Sequence, residues 1–282
     1  MSFLDPALVH QFDRDGYVVT PGVLSGEELV SYGKAIDAAV TQRTVTDTRD
    51  VAEKSTYEQS FIQCMRLWET DAAVRPLTFH PRLAQAAAEL LGVAAVRIWQ
   101  DQALYKEPGG RITDPHQDAT FWPIGNAPLI SAWIPLEDTR RGAGAMAYVP
   151  GSHKAGRLKV VNLLHTTEPY DILHDPALAG REPVFVEAPA GSVVWHHGLT
   201  VHQAEPNGTD RTRRTFTVVY IADGARREQS WDAFPLAREG IGVGELIEGP
   251  SLPIAWPREP GDLPDPPTAL GEPTGPQAKI VE

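Results

Sequence analysis

The sequence predicts a mainly β protein with flanking helices, an antiparallel sandwich covered on one face by a helical layer. Three observations carry this. Up to about residue 92 apolar positions recur at helical spacing, and from about residue 93 the period drops to two. Turn signals such as Pro150-Gly151 and Pro189-Ala190-Gly191 then separate one short apolar run from the next. Helices first and many short strands afterwards fit two packed layers around one core.

The elements follow in order. Asp5-Pro6 reads as an N-cap with proline at the first helical position, opening a short helix to about Arg14 that Gly16 ends. Tyr17–Thr20 is apolar and β-branched, a strand. Ser25-Gly-Glu-Glu28 is a capping box, and Leu29, Tyr32, Ile36 and Val40 repeat behind it at helical spacing. Residues 44–58 are polar and threonine-rich, either a loop beside the functional site or a surface excursion. Pro81–Leu91 is an alanine-rich helix closed by Gly92. The strand candidates are Val96–Tyr105, Leu129–Leu136, Ala143–Val149, Val184–Glu187, Ser192–His196 and Thr215–Ile221. Residues 155–182, with His165 and His174, form a long insert that suits a substrate lid or wall. From Gly249 the chain is proline-dense, which forbids a regular helix or an inner strand and predicts a tail that wraps the surface or is disordered. The expected division is one domain over 1–248, with helices to about 92 and the β core over about 93–225, then the tail 249–282.

The 282 residues suffice for one full core, and 42% hydrophobic with 22% charged residues is ordinary for a soluble globular protein. A net charge of −12 disfavours general nucleic-acid binding. The single cysteine, Cys64, excludes an intrachain disulfide framework, and its apolar setting suggests a buried inert thiol. Without a signal-peptide pattern or an apolar run of membrane length, the expectation is a cytoplasmic enzyme. Its partner is a small-molecule substrate, and both a monomer and a homodimer remain open.

Chemistry concentrates at His116-Gln117-Asp118. In an extended chain residues i and i+2 face the same side, so His116 and Asp118 can share one ion. A third ligand from a distant strand completes a facial two-histidine, one-carboxylate set with open positions, as in non-heme Fe(II) oxygenases. His202 is a candidate for it, with His196 and His197 as competitors. With the ligands on strands, the sandwich becomes a double-stranded β-helix, a jelly roll of cupin-like kind. Arg213, in a strand after His202, could grip the far carboxylate of a dicarboxylate co-substrate; alternatively it is one solvated charge among Arg211, Arg213 and Arg214.

Together these residues resemble the phytanoyl-CoA dioxygenase (PhyH-like) family of Fe(II)- and 2-oxoglutarate-dependent oxygenases. The pattern is His116-x-Asp118, then His202 with Asn207 and Arg213 behind it. Gln102–Lys106, Ala132–Thr139, Gly144–Lys154 with its Pro-Gly-Ser-His-Lys turn, and Phe12–Val19 stand in family order, so the likeness runs from about 8 to 222. The resemblance implies Fe(II) on His116, Asp118 and His202, 2-oxoglutarate and O2 as co-substrates, and ascorbate as a stimulant. It implies co-substrate contacts from Arg213, Gln102 and Trp133, and less directly from Lys106 and Thr139. Core packing for Trp133 and a satisfied strand amide for Gln102 are equally open. In related halogenases a small residue replaces the carboxylate ligand; Asp118 fills that place, so the resemblance favours hydroxylation. The chain departs from the family at Ala204, where a small hydroxyl residue is usual.

The alternative is a cupin-like metal-binding isomerase, hydrolase or binding protein that uses no 2-oxoglutarate, with Glu187 or His197 pressed into service as a base. The direction of Arg213 discriminates: into the cavity favours the oxygenase, out to solvent the alternative. Trp99, Phe121, Trp122 and Trp195 flank the motifs and are candidates to line an apolar pocket. The acidic balance disfavours a CoA thioester.

Overall fold

Two antiparallel sheets and a helical layer make up the computed structural model, which describes residues 3–125, 127–259 and 261–268. Asp5 caps α1 (Pro6–Asp15) by accepting from the Ala7 N–H, and Gly16, at φ +79°, turns the chain into β1 (Tyr17–Thr20). A side chain at Gly16 would overlap His153 and Thr200. The Ser25–Glu28 capping box opens α2 (Gly26–Thr44), which buries Ile36, Ala39 and Val40. Next come β2 (Ile62–Met65), the single turns α3 (Leu67–Thr70) and α4 (Arg75–Thr78), and α5 (Pro81–Leu91), which Gly92 ends. The β region holds β3 (Val96–Lys106), β4 (Thr113–His116), β5 (Leu129–Pro135), β6 (Met146–Tyr148), β7 (Val184–Val186), β8 (Val193–His197), β9 (His202–Ala204) and β10 (Arg213–Ala222). Helix α6 (Phe234–Glu239) and β11 (Ile254–Trp256) follow.

One sheet has seven strands in the order β1-β8-β5-β10-β3, with β2 and β11 sharing the outer edge of β3; the other has four, β4-β9-β6-β7. The two-layer sandwich is the one the period change predicts, and its jelly-roll form is the one expected with the candidate ligands on strands. Period two sorts the large sheet's side chains. Ile130, Ala132 and Ile134 of β5, Trp195 of β8, and Phe216, Val218 and Tyr220 of β10 join the helices in the main core. The alternate residues Trp133, His196, Arg213 and Thr217 face a cavity that side chains of the small sheet also line.

Two strands, β2 and β11, were not anticipated, and the two expected from the candidate ligands, β4 and β9, have no pattern of their own. β2, β4 and β9 are only three or four residues long and carry polar residues, so alternation has too few positions to register. β11 lies in the proline-rich segment. Pro253 and Pro257 bound it and it sits on the sheet edge, where missing N–H groups are tolerated. Ser251, Leu252 and Ala255 are buried, so the folded body continues past residue 248. Residues 261–267 carry no helix or strand, and 269–282 lie outside the described residues. The insert 155–182 is a packed wall: Val161, Leu163, Ile172 and Leu178 form a core cluster with Phe121, Val149 and Val201. Its His165 binds the Asp114 carboxylate at 2.7 Å, and His174 is exposed beside Asp171. Cys64 is buried, and burial raises its pKa, as an inert thiol requires.

Candidate metal centre and its cavity

Strand pairing brings the first two histidines together, because His116 on β4 stands opposite His202 on β9. β4 ends at His116, so Asp118 is not on the strand; it opens a short 3-10 turn, Asp118–Phe121. Gln117 stays extended (φ −113°, ψ 125°), which preserves the alternation. Its side chain is fixed away from the site, donating to the carbonyls of Gly156 (2.9 Å) and Leu199 (2.7 Å) and accepting from the Leu158 N–H (2.8 Å).

Each of the two histidines is oriented by a backbone carbonyl. His116 Nδ1 lies 2.7 Å from Asp114 O, and His202 Nδ1 lies 2.9 Å from Thr200 O. Those bonds assign the ring proton to Nδ1 and leave Nε2 of both rings as a lone-pair donor. Both Nε2 atoms stand 3.5 Å from Asp118 Oδ1. Adjacent ligands about 2.1 Å from one ion are roughly 3 Å apart, so the three atoms fit a single divalent cation with small adjustment. Asp118 Oδ2 is taken by Ser131 Oγ (2.9 Å) and His196 Nε2 (3.1 Å), leaving Oδ1 to face the histidines. Burial raises the Asp118 carboxyl, but His202, His116 and His196 overcome it and hold the pKa well below the ordinary value. Burial pushes His202 down to about 3, so its ring is neutral and ready to ligate at neutral pH.

Arg213 faces the cavity and is 4% exposed. Its Nη1 donates to Thr215 Oγ1 at 3.3 Å, its Nε has no partner among the described residues, and its guanidinium lies 5.5 Å from the centre of the Trp133 ring. Burial lowers its pKa to about 10, leaving it charged at neutral pH. Its neighbours differ: Arg211 is exposed, and Arg214 pairs outside with Asp37 (2.6 Å) and Glu137 (2.7 Å). Gln102 and Trp133 line the same cavity, and Gln102 Oε1 accepts from Gln63 Nε2 at 2.7 Å. Thr139 lies outside the lining, in a bridge to Ala188. The two bases of the alternative reading are also outside it. Glu187 is exposed near Arg141, and His197 points to the helical face against Phe12 and His153. Trp195 shares that face and donates to Thr20 Oγ1, so it does not line this cavity; Trp99, Phe121 and Trp122 do.

Sequence reasoning missed Ser131, His196 as the partner of Asp118, and Gln63, Tyr57 and Phe234 as lining. Ser131 sits two residues before Trp133 on β5, and that alternation was the available signal. Phe234 carried none, since it reaches the cavity from α6, far along the chain.

Lys106 is fully buried outside the lining, with Nζ donating to Arg111 O (2.5 Å) and Thr113 Oγ1 (3.3 Å). Burial, then the Arg213 and Arg111 charges, push its pKa down to about 6. Unfolded, a lysine titrates near 10.4, so between about pH 6 and 10 the unfolded chain binds a proton that the folded chain releases. Stability therefore rises with pH across that window, by up to about 1.4 kcal/mol per pH unit. Lys106→Met should flatten the rise. Urea midpoints of both proteins at several pH values in the window check this; parallel curves would show that Lys106 stays charged.

A jelly roll that presents two histidines and one carboxylate to a shared cavity belongs to the class of non-heme metal proteins to which the mononuclear iron oxygenases belong. The comparisons narrow the class. The chain is a member of the phytanoyl-CoA dioxygenase (PhyH) family, whose model matches residues 12–215. It is 27% identical over 270 residues to a phytanoyl-CoA dioxygenase domain-containing protein 1 of Bos taurus, covering 77% of this chain and 90% of that protein. It is 30% identical over 164 residues to a probable alpha-ketoglutarate-dependent hypophosphite dioxygenase of Stutzerimonas stutzeri, covering 57% and 53%. Among solved structures it resembles the non-heme alpha-ketoglutarate-dependent carbocyclase SnoK from nogalamycin biosynthesis, with 28% identity, TM-score 0.75, and 89% and 96% coverage. It also resembles the epimerase SnoN in complex with Fe3+, alpha-ketoglutarate and nogalamycin RO, with 26% identity, TM-score 0.72, and 89% and 100% coverage. No helix among the described residues is long and apolar enough to cross a membrane.

Proposed function

We propose that this protein is an Fe(II)- and 2-oxoglutarate-dependent dioxygenase that hydroxylates an unactivated C–H bond of a small organic molecule. The balance is substrate, 2-oxoglutarate and O2 in; alcohol, succinate and CO2 out. The observation that carries it is Arg213. A buried guanidinium without a carboxylate partner, in the cavity of a His-Asp-His cluster, is a standing demand for an anion. The far carboxylate of 2-oxoglutarate meets that demand while its keto-acid end reaches the metal centre.

His116 Nε2, His202 Nε2 and Asp118 Oδ1 would hold the iron. When bound, the iron supplies the activation of O2 that oxidises first 2-oxoglutarate and then the substrate. The remaining steps belong to the chain. Ser131 and His196 occupy Asp118 Oδ2, so the carboxylate offers one oxygen and positions stay open for the co-substrates. Trp133 backs the Arg213 guanidinium, and the methyl of Ala204 stands where no hydroxyl can assist. The neighbours include a carbocyclase and an epimerase, which are other outcomes for this fold. Product mass separates them: one oxygen heavier for hydroxylation, two hydrogens lighter for ring closure, unchanged for epimerisation.

The purified protein with Fe(II), ascorbate and O2 should convert 2-oxoglutarate to succinate slowly alone and faster with substrate. Succinate no higher than in a His116→Ala control, across a broad substrate panel, would end the dioxygenase reading.

A further inference from the structure

We propose that the substrate is an uncharged molecule with flat ring surfaces, carrying neutral hydroxyl or carbonyl oxygens, and not a carboxylate, phosphate ester or CoA thioester. This rests on the dioxygenase reading, because that reading allots Arg213 and the metal centre to the co-substrate. Both molecules would share one cavity, whose lining runs from the metal centre to aromatic and amide side chains.

Charge decides the first half. Besides histidines, the charged residues of the lining are Arg66, Asp118 and Arg213. Asp118 serves the metal, and Arg213 the co-substrate. Arg66 is engaged by protein oxygens: Nε donates to Glu69, Nη1 to Trp99 O (2.8 Å) and Nη2 to Ser251 O (2.6 Å), and Glu69 also accepts from Arg238 at 2.6 Å. With Arg213 and Asp118 so allotted, no lining cation among the described residues is left without protein partners to receive an anionic substrate, and no lining carboxylate remains for an ammonium. A charged group entering here would lose its water without gaining a partner.

Ring surface decides the second half. Aromatic walls come from separated parts of the chain: Tyr57 and Phe61 ahead of β2, Trp99 on β3, Trp122 after the metal turn, and Phe234 on α6. Trp99 is there because of a bulge. Ile98 pairs with Tyr220 and Gln100 with Val219, so Trp99 is the extra residue that breaks the alternation and turns an indole into the cavity beside Gln100. Tyr57 meets Phe61 edge-on at 5.3 Å, and Trp99 lies 5.8 Å from Trp122 at a tilt of 53°. Such faces and edges favour offset or edge-on contact with another ring. Polar contact is left to neutral amides: Gln63, Gln100 and Gln102 stand along this wall, with Tyr57 Oη donating to Gln63 Oε1 at 2.8 Å. Amides hydrogen-bond to hydroxyl and carbonyl oxygens and compensate no charge.

Two probes of one shape test the idea: 9,10-anthraquinone-2-carboxamide and 9,10-anthraquinone-2-carboxylate. Binding is read by quenching of tryptophan fluorescence in the protein loaded with Mn(II), with and without saturating 2-oxoglutarate. With 2-oxoglutarate present the carboxamide should bind about tenfold tighter than the carboxylate, or more, because only the latter buries an unpaired charge. Octanoyl-CoA should not displace it, and Trp122→Ala and Phe234→Ala should each weaken it. A carboxylate or CoA ester that binds equally well or better, or a failure of both ring probes, overturns the proposal. The two readings fail differently. If 2-oxoglutarate is not the co-substrate, adding it will not change carboxylate binding and no succinate will form; if only the substrate class is wrong, succinate forms and the probe order alone is violated.

Discussion

Replacing His202 by alanine should abolish succinate formation and weaken metal binding by more than about 100-fold. The scale comes from comparison, since losing a partner that merely orients a ligand typically costs about 10–100-fold in affinity, and His202 would be the ligand itself. The geometry sharpens the expectation. His202 Nε2 and His116 Nε2 are equidistant from Asp118 Oδ1, 3.5 Å each, so removing one ring leaves two donors on one side of the ion. His196 cannot step in without releasing Asp118 Oδ2, which it holds at 3.1 Å. His196→Gln should therefore cost less than His202→Ala, and His197→Ala should leave metal affinity unchanged, because that ring packs on the helical face. Titration of Fe(II) or Mn(II) into the variants under anaerobic conditions measures this. Native affinity in the His202→Ala protein would remove His202 from the centre and make His196 the next candidate, since its ring lies 4.4 Å from that of His202.

Long, strongly periodic elements could be read from the chain. β3, β5 and β10 are seven to eleven residues long; α1 is signalled at both ends by Asp5 and Gly16, α2 at its start by a capping box, and α5 by Pro81 and Gly92. What escaped was short or defined by pairing. β4 and β9 are four and three residues, too short for alternation to show, and their pairing sets His116 opposite His202. The sequence could set His116 and Asp118 on one side by alternation, yet the strand ends between them and a buried glutamine with three hydrogen bonds carries the geometry on. The bulge that turns Trp99 inward is a property of register between two strands, which no local pattern reports. In the same way His196 and His197 are indistinguishable as a doublet; adjacency on β8 sends one to the metal carboxylate and the other to the helices.

Arg213→Ala should raise the dissociation constant for 2-oxoglutarate by about 2–5 kcal/mol, roughly 30-fold to several thousand-fold, judged from truncation of buried charge pairs. Three features place it at the upper end. The guanidinium is 4% exposed, so water cannot replace the lost partner well. Its Nε is buried and unpartnered among the described residues, so the protein leaves part of the guanidinium's hydrogen-bonding capacity unmet. Gly144 sits against it with φ +79°, where a side chain would crowd both Lys106 and the Arg213 Nε, so the guanidinium is held between this backbone and the Trp133 ring. Arg213→Lys should recover part of the loss, because an ammonium keeps the charge but not the two-pronged geometry. Metal affinity should hardly change in either variant, since no ligand atom is touched. Isothermal titration of 2-oxoglutarate into the Mn(II)-loaded proteins gives the affinities directly. An unchanged dissociation constant in Arg213→Ala would rule the residue out as the carboxylate partner. Arg211 and Arg214 would not inherit the role easily: the first is exposed, and the second is already bonded to Glu137 and Asp37 on the outer face. The demand for an anion at Arg213 would then need another ligand, and the dioxygenase reading would lose the observation that carries it.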